Sequence, residues 1–380
     1  MPKLNAMSII TAEYSPAGAL SVGQGAYDPR LMVAFSVCIP SFNAAGTLAE
    51  TIVGVLSSEA SAVEIWVSDN ASTDGTADVA MAVDDPRVHV QVNRTNVGPA
   101  SNLDRAVRPS SGSWVLLLAR GQMEPGALAA YDAIAGAVGE RAVITGRARQ
   151  VDDSDRDLGL VGPDLFVWRG APVNRDLSEL IGRRVLELDA ATLLERSVST
   201  MRDPFHPATT AYPRTLFDLV GGYLGARTVS TEKWFHWRLL TVADRAIFID
   251  EPLFCVPPHH DGPPTGGPLP LAELVDDYVS SFEQSPGLLD RSGLDRREVE
   301  RAFLEHDIAR RGLASLARGE RATARRLSSF GLAAYPSHAR KNLRWWLLRV
   351  LVALGPVGET AARTAHRSFV PAGLTPDHDP

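Results

Sequence analysis

Residues 33–76, VAFSVCIPSFNAAGTLAETIVGVLSSEASAVEIWVSDNASTDGT, limit what this chain can fold into more than any other stretch. Phe35, Val37, Cys38 and Ile39 form a short apolar run of strand formers, and Pro40 is expected to end it because proline cannot donate to a sheet ladder. Leu48, Ile52, Val55 and Leu56 then recur at helical spacing. A second strand, from Glu64 to Val67, stops at the polar turn 68–76. Two strands joined by a helix of this length pair most simply in parallel, with a right-handed crossover. In an open α/β sheet the ligand lies outside the carboxyl ends of the strands. The turns 40–43 and 69–76 are therefore expected to face one ligand.

The alternation continues. The pattern predicts strands over 88–92, 114–118 and 142–144, a helix starting within 96–102 and running towards Val107, and an alanine-rich helix over 126–138. Repeated β-α units imply an α/β fold with a doubly wound, mostly parallel sheet. With 380 residues, two domains or one large domain with appendages is expected. The net charge of −7 shows no basic bias and argues against nucleic acid as the main partner. The two cysteines, Cys38 and Cys255, have no metal-ligand spacing partner. They read as buried thiols of a reducing compartment, which makes the cytoplasm the expected location. Residues 1–32 lack a basic start followed by an apolar core and read as an N-terminal extension, not a signal peptide. No stretch reaches the ~20 apolar residues of a spanning helix.

Pro40, Ser41, Phe42 and Asn43, followed by VSDNASTDGT at 67–76, resemble the opening of family-2 glycosyltransferases of the GT-A fold. The resemblance covers residues 33 to about 256 and implies transfer of a sugar from a nucleotide-diphosphate-sugar to an acceptor hydroxyl. The acceptor would be a glycan, a lipid-linked glycan or a small molecule. The resemblance further implies that the turn 40–43 lies along the nucleoside and that Asp69 holds the base, with Asn70 and Ser72 in the same donor turn. A carboxylate suits that task because it accepts a hydrogen bond from a ring N–H. The plainer alternative is that Asp69, Asn70 and Ser72 only form a turn and cap the next helix.

The departure from the family comes after the fourth strand, where members carry a metal-binding Asp-X-Asp. Here the chain reads Leu118, Ala119, Arg120 and Gly121, with no carboxylate before Glu124. A divalent cation such as Mg²⁺ or Mn²⁺ needs hard oxygen ligands, so a metal cofactor is in doubt. Either Arg120 pairs directly with the diphosphate, as a guanidinium can, or the chain is a non-catalytic binder or scaffold on the same fold. The acidic run Asp152, Asp153, Asp155 and Asp157 reads as a solvated turn between antiparallel strands. His259, His260 and Asp261 read as a flanking loop.

Downstream, residues 203–212 lead into an amphipathic helix at 215–220, closed by Gly221 and Gly222. The resemblance makes this passage the wall of the sugar and acceptor pocket, with His206 and Thr209 on the acceptor side. The segment TEKWFHWRLL at 231–240 resembles the family's acidic pair opening a helix that ends in Arg-Leu. With Arg238 at the arginine, Glu232 falls at the catalytic base and Thr231 at the first acidic position. An inverting transfer needs one carboxylate to take the acceptor proton. Residues 246–253 resemble the closing strand of the domain.

Residues 257–270, rich in Pro and Gly, read as a linker, and 271–380 as a helical region with helices at 271–282, 296–318 and 321–335. Its most apolar segment is 344–354, RWWLLRVLVAL. Two readings stand for it: peripheral contact with a membrane interface, or docking on the protein's own core or on a second subunit of a homodimer.

Overall fold

In the computed structural model, residues 35–58, 63–118, 121–152, 154, 156–223, 231–258, 271–283, 285 and 287–369 are described. In chain order the first half comprises β1 (Phe35–Ser41), α1 (Ala45–Leu56), β2 (Val63–Asp69), α2 (Thr76–Met81), β3 (Val88–Val92), α3 (Pro99–Val107), β4 (Trp114–Leu117), β5 (Gln122–Met123), α4 (Ala127–Val138), β6 (Ala142–Val151) and β7 (Asp157–Val161). Then come α5 (Arg175–Ile181), β8 (Val185–Asp189), α6 (Ala190–Thr200), β9 (Ala211–Pro213), α7 (Arg214–Leu219), α8 (Thr231–Val242) and β10 (Arg245–Val256). The C-terminal helices are α9 (Leu271–Glu283), α10 (Leu288–Ser292), α11 (Arg296–Ala302), α12 (Arg310–Ala317), α13 (Arg321–Ala334), α14 (Pro336–Ala339), α15 (Leu343–Ala353) and α16 (Pro356–Phe369). A π-helical stretch, Phe303–Ala309, joins α11 to α12.

One sheet runs in the order β3-β2-β1-β4-β9-β6-β10-β5, with β7 and β8 attached to β6 and β10. The expected parallel unit is present: β1 pairs in parallel with β2 and β4, and β2 with β3. β6 and β10 are also parallel, while β9 is antiparallel between β4 and β6. Side chains of β1 alternate between two cores, as strand geometry requires. Phe35, Val37 and Ile39 join α1 and α4 on one face, and Cys38 joins α3, α6 and α8 on the other.

Pro40 does not end β1, which continues to Ser41 with Pro40 opposite Ser68. Ser41 accepts from Asn70 on the β2 side, so Pro40 faces the β4 side, as does Cys38, whose carbonyl accepts from Leu118. Pairing with β4 stops at Cys38, so the N–H that proline lacks has no ladder to join.

The acidic run forms the expected turn between antiparallel β6 and β7, with the Asp152 carboxylate accepting from Ser154 and Arg156 N–H groups; Asp153 and Asp155 lie outside the described residues. Also outside them are the extension 1–32, most of the linker (259–270, with His259, His260 and Asp261) and Arg120.

The C-terminal helices share a core with the sheet. Leu288, Val299, Phe303, Leu304, Ile308 and Trp345 belong to the same buried cluster as Trp234 and Trp237 of α8. Trp234 Nε1 donates to Asp277 of α9 at 2.9 Å, which satisfies two buried polar groups at that seam.

Candidate active site

The carboxyl ends of β1, β2 and β4 define one edge of the sheet, and the polar turns meet there. The backbone N–H of Asn43 donates to Ser72 Oγ at 2.9 Å, and Asn43 Oδ1 accepts from Thr73 N–H at 3.1 Å. Ala44 N–H reaches Thr76 Oγ1 and Ala45 N–H reaches Asp74 Oδ2, at 2.8 and 3.0 Å. The Thr76 hydroxyl, which donates to Asp74 Oδ1 at 2.5 Å, and then the Ala45 N–H hold the Asp74 carboxyl below the usual carboxylate range. Asn43 and Ala71 take positive φ values of 48° and 58°, conformations that non-glycine residues adopt only where the surroundings over-determine them.

Beneath the turns lies an asparagine hub. Asn102 of α3 accepts from Ser68 Oγ and Asn93 Nδ2 at 2.8 and 2.9 Å and donates to the Ser68 carbonyl at 3.1 Å. Asn70 Oδ1 accepts from Val97 N–H, and its Nδ2 donates to Asn96. The Asn96-to-Asn102 segment thus ties the second turn to the start of α3.

The donor-turn residues divide by exposure. Phe42 and Asn43 are exposed, Ser72 half-buried, and Ser41, Asp69 and Asn70 buried. Asp69 is only 1% exposed, and its two carboxylate oxygens accept from Ser72 N–H at 3.0 Å and Ser72 Oγ at 2.5 Å. The Asp69 carboxylate shapes the turn here, and a nucleobase reaches it only where Ser72 yields. The Ser41 hydroxyl is buried without a hydrogen-bond partner among the described residues.

At the end of β4, Leu118 is fully buried. Gly121, at φ +126°, is pressed so closely on β10 that a Cβ would sit 2.2 Å from the Cys255 carbonyl oxygen. Glu124 accepts from the Cys255 thiol at 3.0 Å and pairs with Arg149. The thiol hydrogen bond, then the Arg149 guanidinium, hold the Glu124 carboxyl below its usual range, and burial, then Glu124, push Cys255 up to about 11. Among the described residues no three His, Cys, Asp or Glu side chains converge on a metal position. Among the described residues that follow β4, the carboxylate present, Glu124, is committed to a guanidinium and a thiol.

The passage 203–210 enters the same edge. Thr210 O accepts from Leu117 N–H at the end of β4. The Thr209 side chain is fully buried: its hydroxyl donates to Gly146 O at 3.0 Å, and its carbonyl accepts from Tyr131 at 2.6 Å. The expectation that Thr209 faces an acceptor is corrected on this ground, since it is a strut between β6 and the turn before β9. His206 is half-buried, and its N–H donates to Thr145 Oγ1 at 3.3 Å.

Glu232 stands in the first turn of α8, with His236 one turn on along the same face. The His236 ring is buried, and its Nδ1 lies 2.7 Å from Asp203 Oδ1. Burial pushes the Glu232 carboxyl above its usual range and the nearby Asp203 charge adds to this, while its own backbone N–H and His236 oppose it. Among the described residues no side chain hydrogen-bonds Glu232. Arg238 instead donates to Val220 O at 2.7 Å, and burial lowers its guanidinium to about 10. It braces the C-terminal end of α7. The Asp203–His236 pair was missed in the sequence, although the four-residue spacing from Glu232 to His236 carries the signal.

The description "Glycosyl transferase family 2" matches residues 36–119, the part of the chain that builds both polar turns. Over those residues the chain is similar to that family. Over 80 residues this chain is 30% identical to succinoglycan biosynthesis protein ExoO of Rhizobium meliloti (strain 1021), a match covering 21% of this chain and 23% of that protein. The alignment therefore spans about a quarter of the relative's length. The fold is GT-A-like: the crystal structure of S. aureus TarS 1-349 superposes with a TM-score of 0.57 at 15% identity, over 88% of this chain and 92% of that one. TarS 1-349 in complex with UDP-GlcNAc gives 0.58 at 14% identity, with the same coverage. Coverage of that extent reaches beyond the matched residues 36–119 and β10 into the C-terminal helices.

Proposed function

We propose that the protein is a glycosyltransferase that moves a sugar from a nucleotide-diphosphate-sugar to an acceptor hydroxyl, with inversion, in glycan biosynthesis. The observation that carries this reading is the family-2 match over both interlocked turns, with Glu232 grouped beside the passage 203–210 that enters the same sheet edge. Phe42 and Asn43 offer the exposed nucleoside wall, and Ser41, Asp69, Asn70 and Ser72 fix its shape.

In the reaction, the acceptor oxygen forms a bond to the anomeric carbon as the bond from that carbon to the diphosphate oxygen breaks. The acceptor proton passes to the Glu232 carboxylate, and the nucleoside diphosphate leaves with the electron pair. A carboxylate with a raised proton affinity is a stronger base for that step. Attack on the face opposite the leaving group gives inversion. His236, held by Asp203, acts as a positioning residue for Glu232. We assign no resident cation, because Glu124 is committed elsewhere.

A non-catalytic nucleotide-sugar binder is the second reading, favoured by the missing carboxylates at the end of β4. Turnover separates the two. UDP-GlcNAc, the donor bound to TarS, is the first donor to assay, followed by other nucleotide sugars. Release of nucleoside diphosphate by the wild type, abolished in Glu232→Gln, supports the transferase. Donor binding without release from any sugar nucleotide supports the binder.

A further inference from the structure

The helix α15 is apolar on two opposite faces, and only one of them is used by the fold. Trp345, Leu348 and Leu351 are buried against the protein. On the other side Leu343, Trp346, Leu347, Val350 and Leu354 are between 44% and 84% exposed. At about 100° of rotation per residue, Leu343, Trp346, Leu347, Val350 and Leu354 fall within one sector. Arg349 falls on one border, between the exposed and the buried sides, whereas Arg344 falls on the buried side, between Leu351 and Leu348. The Arg349 guanidinium lies 5.4 Å from the Trp345 ring, and Arg344 pairs with Glu305 at 3.4 Å.

Beside this stripe runs a groove of about 680 Å³. It is lined by Leu343 and Leu347 from the stripe and by Arg297, Arg301 and Lys341, which have no carboxylate partner among the described residues. The groove also holds Asp295, Glu298 and Glu305, which are hydrogen-bonded locally: Asp295 and Glu298 cap α11 reciprocally, and Glu305 holds Asn342 and Arg344 of the groove itself. Charge is segregated on the scale of the chain as well. Residues 321–363 carry eight Lys and Arg against one Glu, in a protein of net charge −7.

From the exposed stripe, Arg349 on its border and the unpaired cations of the groove, we infer that this face docks on an anionic lipid surface. Leu343, Trp346, Leu347 and Val350 would enter the acyl boundary, and Arg297, Arg301 and Lys341 would meet lipid phosphates. An apolar face flanked by long cationic side chains is the pattern of a helix lying in a membrane interface. No helix among the described residues is long and apolar enough to cross a membrane. The inference is independent of the donor site.

The test is flotation of the full chain with vesicles of phosphatidylcholine alone or with about 30% phosphatidylglycerol, an anionic fraction large enough to attract a basic surface. The wild type is expected to float with the anionic vesicles only, and less so at high salt. Leu347→Asp/Val350→Asp and Arg301→Glu/Lys341→Glu are each expected to weaken flotation about tenfold. Melting temperature and nucleotide binding should stay unchanged, since these side chains are exposed. No flotation with either vesicle, or equal flotation of both double variants, would overturn the inference. So would a dimer in sedimentation that Leu347→Asp/Val350→Asp dissolves while no form binds vesicles, because the face then belongs to a second copy.

Discussion

The two polar turns and the start of α8 contribute to one sheet edge, yet they spend their hydrogen-bonding groups differently. In the turns, Asp69, Asn70, Ser72, Asp74 and Thr76 satisfy one another and the backbone. Their product is a rigid shape, with Phe42 and Asn43 on the outside. At α8, the half-buried Glu232 lies near Asp203, and no side chain among the described residues hydrogen-bonds it. Partial burial without a side-chain partner costs stability but leaves a carboxylate ready to take a proton. Substitutions in the turns should therefore act on stability and binding, and substitutions around Glu232 on the rate and its pH dependence.

The largest separation is expected from Glu232→Gln. Transfer should fall by about 10² to 10⁴-fold, the range for loss of a general base, while nucleotide affinity holds. The variant should not lose stability at neutral pH. A carboxyl whose folded pKa is raised binds its proton more tightly in the native state, so its favourable contribution is complete below the unfolded pKa and is lost as pH rises through the folded one. Glutamine removes that loss, and melting curves taken from about pH 4 upwards would show it as a shallower fall of stability with rising pH.

Next in size is Trp345→Ala. The side chain is 1% exposed, and its Nε1 donates to Ser328 O. Emptying that site should cost about 3–5 kcal/mol in denaturant unfolding. A single unfolding transition for sheet and helices together would follow from the shared core; two separated transitions would break that account. Asn102→Ala should cost about 1–3 kcal/mol, because it leaves Ser68 Oγ and Asn93 Nδ2 without their buried acceptor. Nucleotide affinity should weaken with it, since the hub supports both turns. The smallest effect is the sharpest. Asp203→Asn removes a charge that raises the Glu232 carboxyl, so the acid limb of the rate-against-pH profile should move to lower pH. An unmoved limb would take Glu232 out of the base role.

Much of the α/β half was legible because its signals are local. The apolar run before Pro40, the helical spacing of Leu48, Ile52 and Val55, and the turn at 69–76 each determine a nearby piece of backbone. Even so, Pro40 was misjudged, since its tolerance depends on where the neighbouring strand stops. Thr209 was misjudged for a similar reason: a hydroxyl's role rests on distant partners, here Gly146 and Tyr131. The insertion of antiparallel β9 between β4 and β6 carries no local signal either, since three residues, Ala211–Pro213, are too few for a pattern. The two-sided character of α15 was written in its composition, but which face the fold uses was not.

The most direct test of the central claim is a calorimetric titration of UDP and other nucleoside diphosphates into the full chain, with and without Mn²⁺. The account predicts binding of at least one nucleotide, with the same affinity in both conditions and in Glu232→Gln. No binding of any nucleoside diphosphate in either condition would contradict it and leave a GT-A-like fold used for something other than a nucleotide-sugar.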